Sequence, residues 1–344
     1  MEKTNSYRVC FLLVVCLWGV FFADFRGFRV LHSQSNISRG KKYFIYKMGG
    51  SGLGSQLLNM FSKAIYMSEA FNRSMIVDES HFEYRRNDSV GVFTGYFTPK
   101  FPVFDRVEQH SYVESITSGL IIHLYASNYR DPYPSLNTED KSIWITGLHD
   151  YRPDILLNYN VSSMEFFEKM GQALCPHMKL NEETLTEVHN LKNLHGFPSF
   201  HEDSVAFHVR RTDKLEMESR LYRGEEYVAK LLAVAKNEDF KYCFVATDDW
   251  HAVDEIRLAL EASNIFCKVY ALNHQDVLIH RLPAFPETLR FITELSMLID
   301  AKYFVGTFNS NIGALVSLMR SCKHPNIEHY SRSYGVDTDT WYMW

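Results

Sequence analysis

His208-Val209-Arg210-Arg211-Thr212-Asp213-Lys214 gathers an imidazole, three cationic groups and a carboxylate at the end of the apolar run Ser204 to Val209. Side chains alternate along a strand, so His208 and Arg210 share one face and Arg211 takes the other. A guanidinium at a sheet edge offers a planar fork that matches paired phosphate oxygens. Arg210 therefore reads as a phosphate ligand, while Arg211 either joins it or pairs with a carboxylate and holds the loop. Gly306-Thr307-Phe308-Asn309-Ser310-Asn311 leads from a second apolar run directly into a helical pattern. Ser310 or Asn311 at that helix start is either a cap or part of an anion site made of free N–H groups and the positive end of the helix dipole. The two clusters together would make a two-sided diphosphate clamp. Thr247-Asp248-Asp249 is a third polar cluster, supplying turn carboxylates or shaping the site.

Two further motifs are less specific. Gly49-Gly50-Ser51-Gly52-Leu53-Gly54 lacks the Lys-Ser/Thr ending of a P-loop and does not fit G-x-G-x-x-G. Gly52 and Gly54 permit either a turn beneath a diphosphate or sugar, or simply a tight turn. Asp337-Thr338-Asp339 spells the D-x-D that holds a divalent metal in some sugar-nucleotide enzymes, but it follows no expected strand.

The elements that must position these residues alternate in the second half. Strands are expected over Ser204–Val209, Tyr242–Ala246, Cys267–Leu272 and Tyr303–Gly306. Helices are expected over Arg223–Lys236, Ala252–Ala262, Pro286–Asp300 and Ser310–Met319. Alternation implies a doubly wound parallel sheet, which binds ligands outside the carboxyl ends of its strands. The first half starts with a strand at Tyr43-Phe44-Ile45-Tyr46, the glycine turn, a helix from Gln56 to about Phe71, and a strand at Met75-Ile76-Val77. Short apolar runs at Gly119–Leu124 and Ile143–Ile145 follow, and a polar helical stretch from Asn181 to Asn193 leads to a boundary near residue 198.

The chain of 344 residues carries 36 basic and 41 acidic groups, a net charge of −5, which argues against a nucleic-acid backbone as main partner. Val9 to Ala23 is unbroken in apolar or small residues. Fifteen residues reach about 22 Å, a marginal span that Phe25 and Phe28 lengthen, and Phe21 disfavours cleavage after Ala23. The expectation is an uncleaved signal anchor. This gives a cytosolic tail over 1–8, a membrane segment over 9–28, a short stem over 29–42, an acceptor-side α/β domain over 43–198 and a nucleotide-binding domain over 199–344. Arg26, Arg29, Arg39, Lys41 and Lys42 outnumber Lys3 and Arg8, but long domains translocate largely regardless of such charges. Sequons at Asn36, Asn72, Asn87 and Asn160 suit a lumenal body. Outside the anchor stand Cys175, Cys243, Cys267 and Cys322, which form two disulfides by one of three connectivities or stay as buried thiols.

His208 to Lys214, Ala246-Thr247-Asp248-Asp249, and Leu295 through Met319 with its Thr307-Phe308-Asn309-Ser310 resemble, in order and spacing, the three motifs of the α-1,6-fucosyltransferase family. The resemblance extends more loosely to Gly52-Leu53-Gly54-Ser55-Gln56-Leu57, and so covers roughly residues 43 to 330. It implies a two-domain, GT-B-like α/β enzyme that takes GDP-fucose as donor, needs no metal or other cofactor, and inverts the anomeric centre. By position, His208 would contact guanine and Arg210 the β-phosphate, with Arg211, Gly52, Gly54, Asp248, Asp249, Ser310 and Asn311 around the nucleotide. Glu294 stands at the family's guanine-reading aspartate. Glu218 falls on the proposed general base, with Glu216 its rival and Asp213 and Lys214 beside it. A carboxylate near the acceptor hydroxyl can remove its proton as fucose C1 is attacked, and Lys214 would keep that carboxylate ionised.

The chain departs from the family at three points. Gly306 and Gly313 replace its cysteine pair, Lys47 lies two positions further from Gly54 than the family's lysine, and the SH3 domain and coiled-coil stem of animal core fucosyltransferases have no counterpart. The reading that follows is a single-pass type II Golgi enzyme with a lumenal catalytic domain. It moves L-fucose from GDP-β-L-fucose to an oligosaccharide or glycoprotein acceptor, by default the core GlcNAc of an N-glycan through an α-1,6 linkage. Chitin-like or other glycans are open as acceptors. A sugar-nucleotide-binding protein without turnover, and a metal enzyme using Asp337 and Asp339, are the competing readings.

Overall fold

The computed structural model describes residues 42–49, 52–59, 64–65, 68, 72–80, 82, 84, 86, 90–104, 121–125, 142–146, 173–198, 203–211, 220–236, 238–272, 287–323 and 332–337. Two five-stranded sheets, each parallel throughout, organise them. The first contains β1 (Tyr43–Lys47), β2 (Ser74–Asp78), β3 (Val103–Phe104), β4 (Ile121–Tyr125) and β5 (Ser142–Thr146), in the order β3-β2-β1-β5-β4. The second contains β6 (Ser204–Val209), β7 (Tyr242–Thr247), β8 (Lys268–Tyr270), β9 (Tyr303–Gly306) and β10 (Ser333–Gly335), in the order β10-β9-β6-β7-β8. In both, the chain winds outward from a central strand in one direction and then in the other. The switch points lie beside β1 in the first sheet and between β6 and β9 in the second, where the strand ends leave a crevice.

Helices α1 (Leu53–Asn59), α2 (Val92–Tyr96), α3 (Glu182–Leu194), α4 (Gly224–Val234), α5 (His251–Ala262), α6 (Glu287–Asp300) and α7 (Asn311–Lys323) pack on these sheets. Strand parity decides which face each residue serves. Val205, Phe207 and Val209 of β6 join Tyr227, Leu231, Ile256 and Leu260 of α4 and α5 in one core. Ala206 turns the other way, into a core shared with Tyr46, Leu57, Phe93, Leu295, Phe304 and Leu315, so the two halves bury a common apolar interior.

Two covalent links and one buried cation tie this arrangement together. Cys175, in a single 3-10 turn (Cys175–His177), bonds Cys322 near the end of α7, and Cys243 of β7 bonds Cys267 just before β8. The first bond joins the two halves, because the segment around Cys175 is held to α2: Thr98 N donates to Lys179 O at 2.8 Å and Asn181 N to Tyr96 O at 3.0 Å. The fully buried Arg320 of α7 donates to the carbonyls of Leu298, Ile299, Ala301 and Lys302, at 3.2, 3.0, 2.6 and 3.0 Å. It thereby satisfies carbonyls in the last turn of α6, which have no intrahelical donors, and those of the two residues that follow the helix.

The observed elements differ from expectation mainly at their ends. Helix α1 starts at Leu53, three residues before Gln56, and α7 runs on to Lys323. Strand β10 was not anticipated: it is three residues long and carries no apolar alternation. It places Asp337 two residues beyond a strand end, which corrects the expectation that the D-x-D follows no strand. The anchor expected over 9–28 lies outside the described residues, and among those no helix is long and apolar enough to cross a membrane.

Candidate nucleotide site

The ends of β6, β7 and β9 meet at the crevice of the second sheet, with His208 paired in register with Gly306 and with Ala246. Arg210 is fixed there by Asp248, whose Oδ2 lies 2.7 Å from its Nη1. The same carboxylate accepts from the backbone N–H of Arg211 at 2.9 Å through Oδ1. Asp248 is almost wholly buried while the Arg210 side chain keeps 16% exposure, so the held guanidinium stands at the rim. Of the two readings open for Thr247-Asp248-Asp249, the geometry assigns Asp248 the shaping of the site.

Arg211 has the other fate. Its Nη1 donates to Glu255 at 2.9 Å and to Asp249 at 3.1 Å, and its Nη2 donates to Glu255 at 2.6 Å and to the Tyr222 carbonyl at 3.0 Å. Glu255 also accepts from Gly224 N at 3.0 Å, joining α4, α5 and the strand end in one knot. The Arg211 hydrogen bonds hold the Glu255 carboxyl below its ordinary range. Arg211 and its partner Asp249 thus hold the loop, the second of the two readings open for Arg211, while the Arg211 Nε makes no hydrogen bond among the described residues. Gly224 is required here, since a Cβ would come within 2.6 Å of the Glu255 backbone.

His208 is 4% exposed, and its Nδ1 makes no hydrogen bond among the described residues. Burial, reinforced by the neighbouring Arg210, pushes its pKa down to about 4. The imidazole is therefore neutral near pH 7, with a ring nitrogen left for a ligand.

The loop after β9 is set by a residue from the far C-terminal side. Asp337 accepts from Phe308 N at 2.8 Å through Oδ1 and from Asn309 N at 2.7 Å through Oδ2. Both oxygens face backbone, so the reading of Asp337 as half of a metal pair is corrected to that of a loop latch; Asp339 lies outside the described residues. Beyond the latch, Ser310 N returns to Thr307 O at 3.3 Å and Ala314 N to Ser310 O at 3.1 Å. Among the described residues, no side chain takes the first-turn N–H groups of Asn311, Ile312 and Gly313, the ones a helix leaves without internal acceptors. Gly313 allows that turn to close on the loop: a Cβ there would lie 2.2 Å from Thr307 O.

The glycine turn of the first half reaches the same place. A Cβ on Gly54 would come within 2.7 Å of Ile312 in the first turn of α7 and 3.5 Å of Phe291 on α6. Gly54 is thus a contact that seats α1 against the α7 N-terminus. Gly52 is exposed, with only the Tyr84 hydroxyl 3.9 Å from a Cβ, and leaves room for a ligand. Buried Gln56 shapes the turn: it accepts from Tyr46 Oη at 2.8 Å and donates to Gly49 O at 2.8 Å, and Gly49 adopts φ +155°. Sequence reasoning missed both Gln56 and Asp337 in these roles.

Glu294 sits on α6 and accepts from Arg290 Nη1 at 2.9 Å, while Arg290 Nε donates to Glu287 at 3.1 Å. Burial raises the Glu294 carboxyl to about 7 despite the adjacent guanidinium. Asp213, Lys214, Glu216 and Glu218 lie outside the described residues. The register therefore sets the strand ends that carry His208, Arg210 and Asp248 beside β9, whose loop leads to Ser310 and Asn311, and Gly52 lies on the turn that packs against α7 through Gly54.

No protein-family model matches the chain, and no curated protein sequence matches it significantly. Among solved structures it resembles a point mutant of Arabidopsis thaliana FUT1 in complex with GDP, at TM-score 0.55 and 12% identity, over 85% of this chain and 72% of that one. Weaker likenesses are to the fucosyltransferase NodZ from Bradyrhizobium (TM-score 0.48, 14% identity, 81% and 93% covered) and to POFUT1 in complex with GDP-fucose (TM-score 0.48, 13% identity, 83% and 96% covered). The chain shares the two-sheet parallel α/β fold of the FUT1 structure.

Proposed function

We propose that the protein is a GDP-fucose-dependent fucosyltransferase that inverts the anomeric centre and transfers L-fucose to a glycan hydroxyl. One observation carries the reading. At the switch-point crevice, Arg210 pinned by buried Asp248 and the neutral, unpartnered ring nitrogen of His208 lie at the end of β6, which pairs with β9, the strand whose loop leads into the α7 N-terminus. This combination fits a nucleoside diphosphate: donors for the phosphates from a side chain and a helix end, and an apolar-flanked hydrogen-bonding group for a base. The structural neighbour holding GDP supports it through the fold, and the three sequence motifs give the sugar.

In this mechanism Arg210 and the first turn of α7 stabilise the charge that develops on the leaving GDP. Glu218, or Glu216, takes the proton of the acceptor hydroxyl as the new bond forms on the opposite face of fucose. The acceptor we favour is the core GlcNAc of an N-glycan through an α-1,6 linkage. The two disulfides support a lumenal body behind an N-terminal Golgi anchor, because such bonds persist in oxidising compartments.

Incubation of the purified full chain with GDP-fucose and a glycan panel, with and without chelator, tests the proposal through GDP release and glycan mass. Transfer that survives chelation is expected. GDP binding without transfer to any glycan would leave a binding protein, and transfer abolished by EDTA would return a metal to the site. A fully active Glu218→Gln variant would remove Glu218 as the base.

A further inference from the structure

Of the four sequons, Asn72-Arg73-Ser74 is the one within the described residues, and its surroundings single it out. Asn72 is exposed in the turn that enters β2, with φ +50°. Ser74 is exposed as the first residue of β2, and among the described residues its hydroxyl makes no hydrogen bond. The backbone is firmly placed, with Arg73 N donating to Ser68 O at 2.8 Å and Ser74 N to Lys42 O at 3.0 Å. The left-handed turn explains an asparagine at 72, since Asn tolerates that conformation best after Gly. It does not explain a solvent-facing hydroxyl two residues later, at a strand position that favours β-branched or aromatic side chains. The cysteines are the second observation: all four outside the expected anchor are paired, as in a protein matured in an oxidising compartment.

We propose that Asn72 carries an N-linked glycan, a site that rests on the lumenal reading above. The Asn72 amide nitrogen displaces the diphosphate from C1 of the terminal sugar of a lipid-diphosphate-linked oligosaccharide. The N–C1 bond forms as the C1–O bond breaks, the amide gives up one proton, and the lipid diphosphate leaves. The glycan stands clear of the nucleotide site. Strands β1 and β2 run parallel, with Tyr43 beside Ser74, so Asn72 lies at the rim where β1 begins, whereas the glycine turn follows its other end. A five-residue strand separates those rims by about 16 Å.

The test is expression of the full chain in eukaryotic cells, thiol alkylation, and peptide mass spectrometry after glycan release by peptide N-glycosidase in heavy-oxygen water. The expected result is heavy-oxygen label at residue 72 with Cys175, Cys243, Cys267 and Cys322 protected from alkylation. Label should vanish in Ser74→Ala and persist in Ser74→Thr, with GDP binding unchanged in both. Protected cysteines with an unlabelled Asn72 would overturn the glycan site alone, and freely alkylated cysteines with no label would overturn the lumenal reading along with it. Loss of GDP binding in Ser74→Ala would overturn the placement of the glycan away from the site.

Discussion

Replacing Asp337 probes whether the C-terminal segment builds the anion site. Its carboxylate receives two backbone N–H groups, from Phe308 and Asn309, at 2.8 and 2.7 Å. Hydrogen bonds to a charged partner contribute about 1.5–3 kcal/mol each, so Asp337→Ala should cost the loop about 3 kcal/mol after water partly replaces the acceptors. If the latched loop is the conformation competent to bind, apparent GDP affinity falls with the competent fraction, by up to about 100-fold for such a cost. Asp337→Asn is the sharper variant. Its amide can serve one N–H through oxygen but turns NH2 toward the other, so it should lose about 2 kcal/mol despite near-identical shape. Calorimetric titration with GDP, with and without EDTA, reads the effect, and urea unfolding separates loop order from global stability. GDP affinity equal to wild type in Asp337→Asn would refute the latch. So would a wild-type affinity that EDTA lowers to the level of the variant, because Asp337 would then be acting through a metal.

Gly54→Ala drives a methyl into Ile312 Cγ1 and should weaken GDP binding several-fold as α1 moves off the α7 N-terminus, with Ile312→Ala restoring part of the loss. Glu294 has a folded pKa near 7 against an ordinary 4.5, so its fold is favoured with the proton on and loses stability as pH rises between those values. Relative to Glu294→Gln, wild type should lose on the order of 3 kcal/mol of unfolding free energy across that window, measured by urea titration at a series of pH values. If Glu294 also receives two N–H groups of a base, GDP should bind more tightly as pH passes upward through about 7, because only the ionised carboxylate accepts both. Paired replacement of Cys175 and Cys322 by Ala opens a cross-link across 147 residues, which by loop-entropy reasoning should cost up to about 5 kcal/mol. An unchanged urea midpoint in that variant would contradict the bond's role in holding the halves together.

The parts legible in the sequence were those governed by local periodicity. Strand parity alone separated Arg210 from Arg211, and it holds: Arg210 stays at the rim while Arg211 turns toward α4 and α5. Alternation of strands and helices gave the second sheet because each apolar run is bounded by polar turns. What escaped depends on contacts between distant segments. Nothing near Asp337 announces that a three-residue strand, aligned only by β9, will carry its carboxylate to Phe308 and Asn309. Gly54 looks like a phosphate turn in isolation, and only the arrival of Ile312, more than 250 positions later, shows why no side chain fits there. The pairing of Cys175 with Cys322 was one of three connectivities, and the fold selects it by bringing a short turn against α7.

Helix α7 is about 20 Å of rod with the proposed phosphate contacts at one end. Its other end is immobilised twice, by the sulfur bridge to the first half and by Arg320 threaded into the carbonyls that finish α6. A strut clamped so far from its working tip transmits any loosening of its base as a displacement of the tip. The precision of an anion site is then an elastic property of the whole helix, and a reducing agent acting on a surface-side bridge would blur donor positioning from a full helix length away.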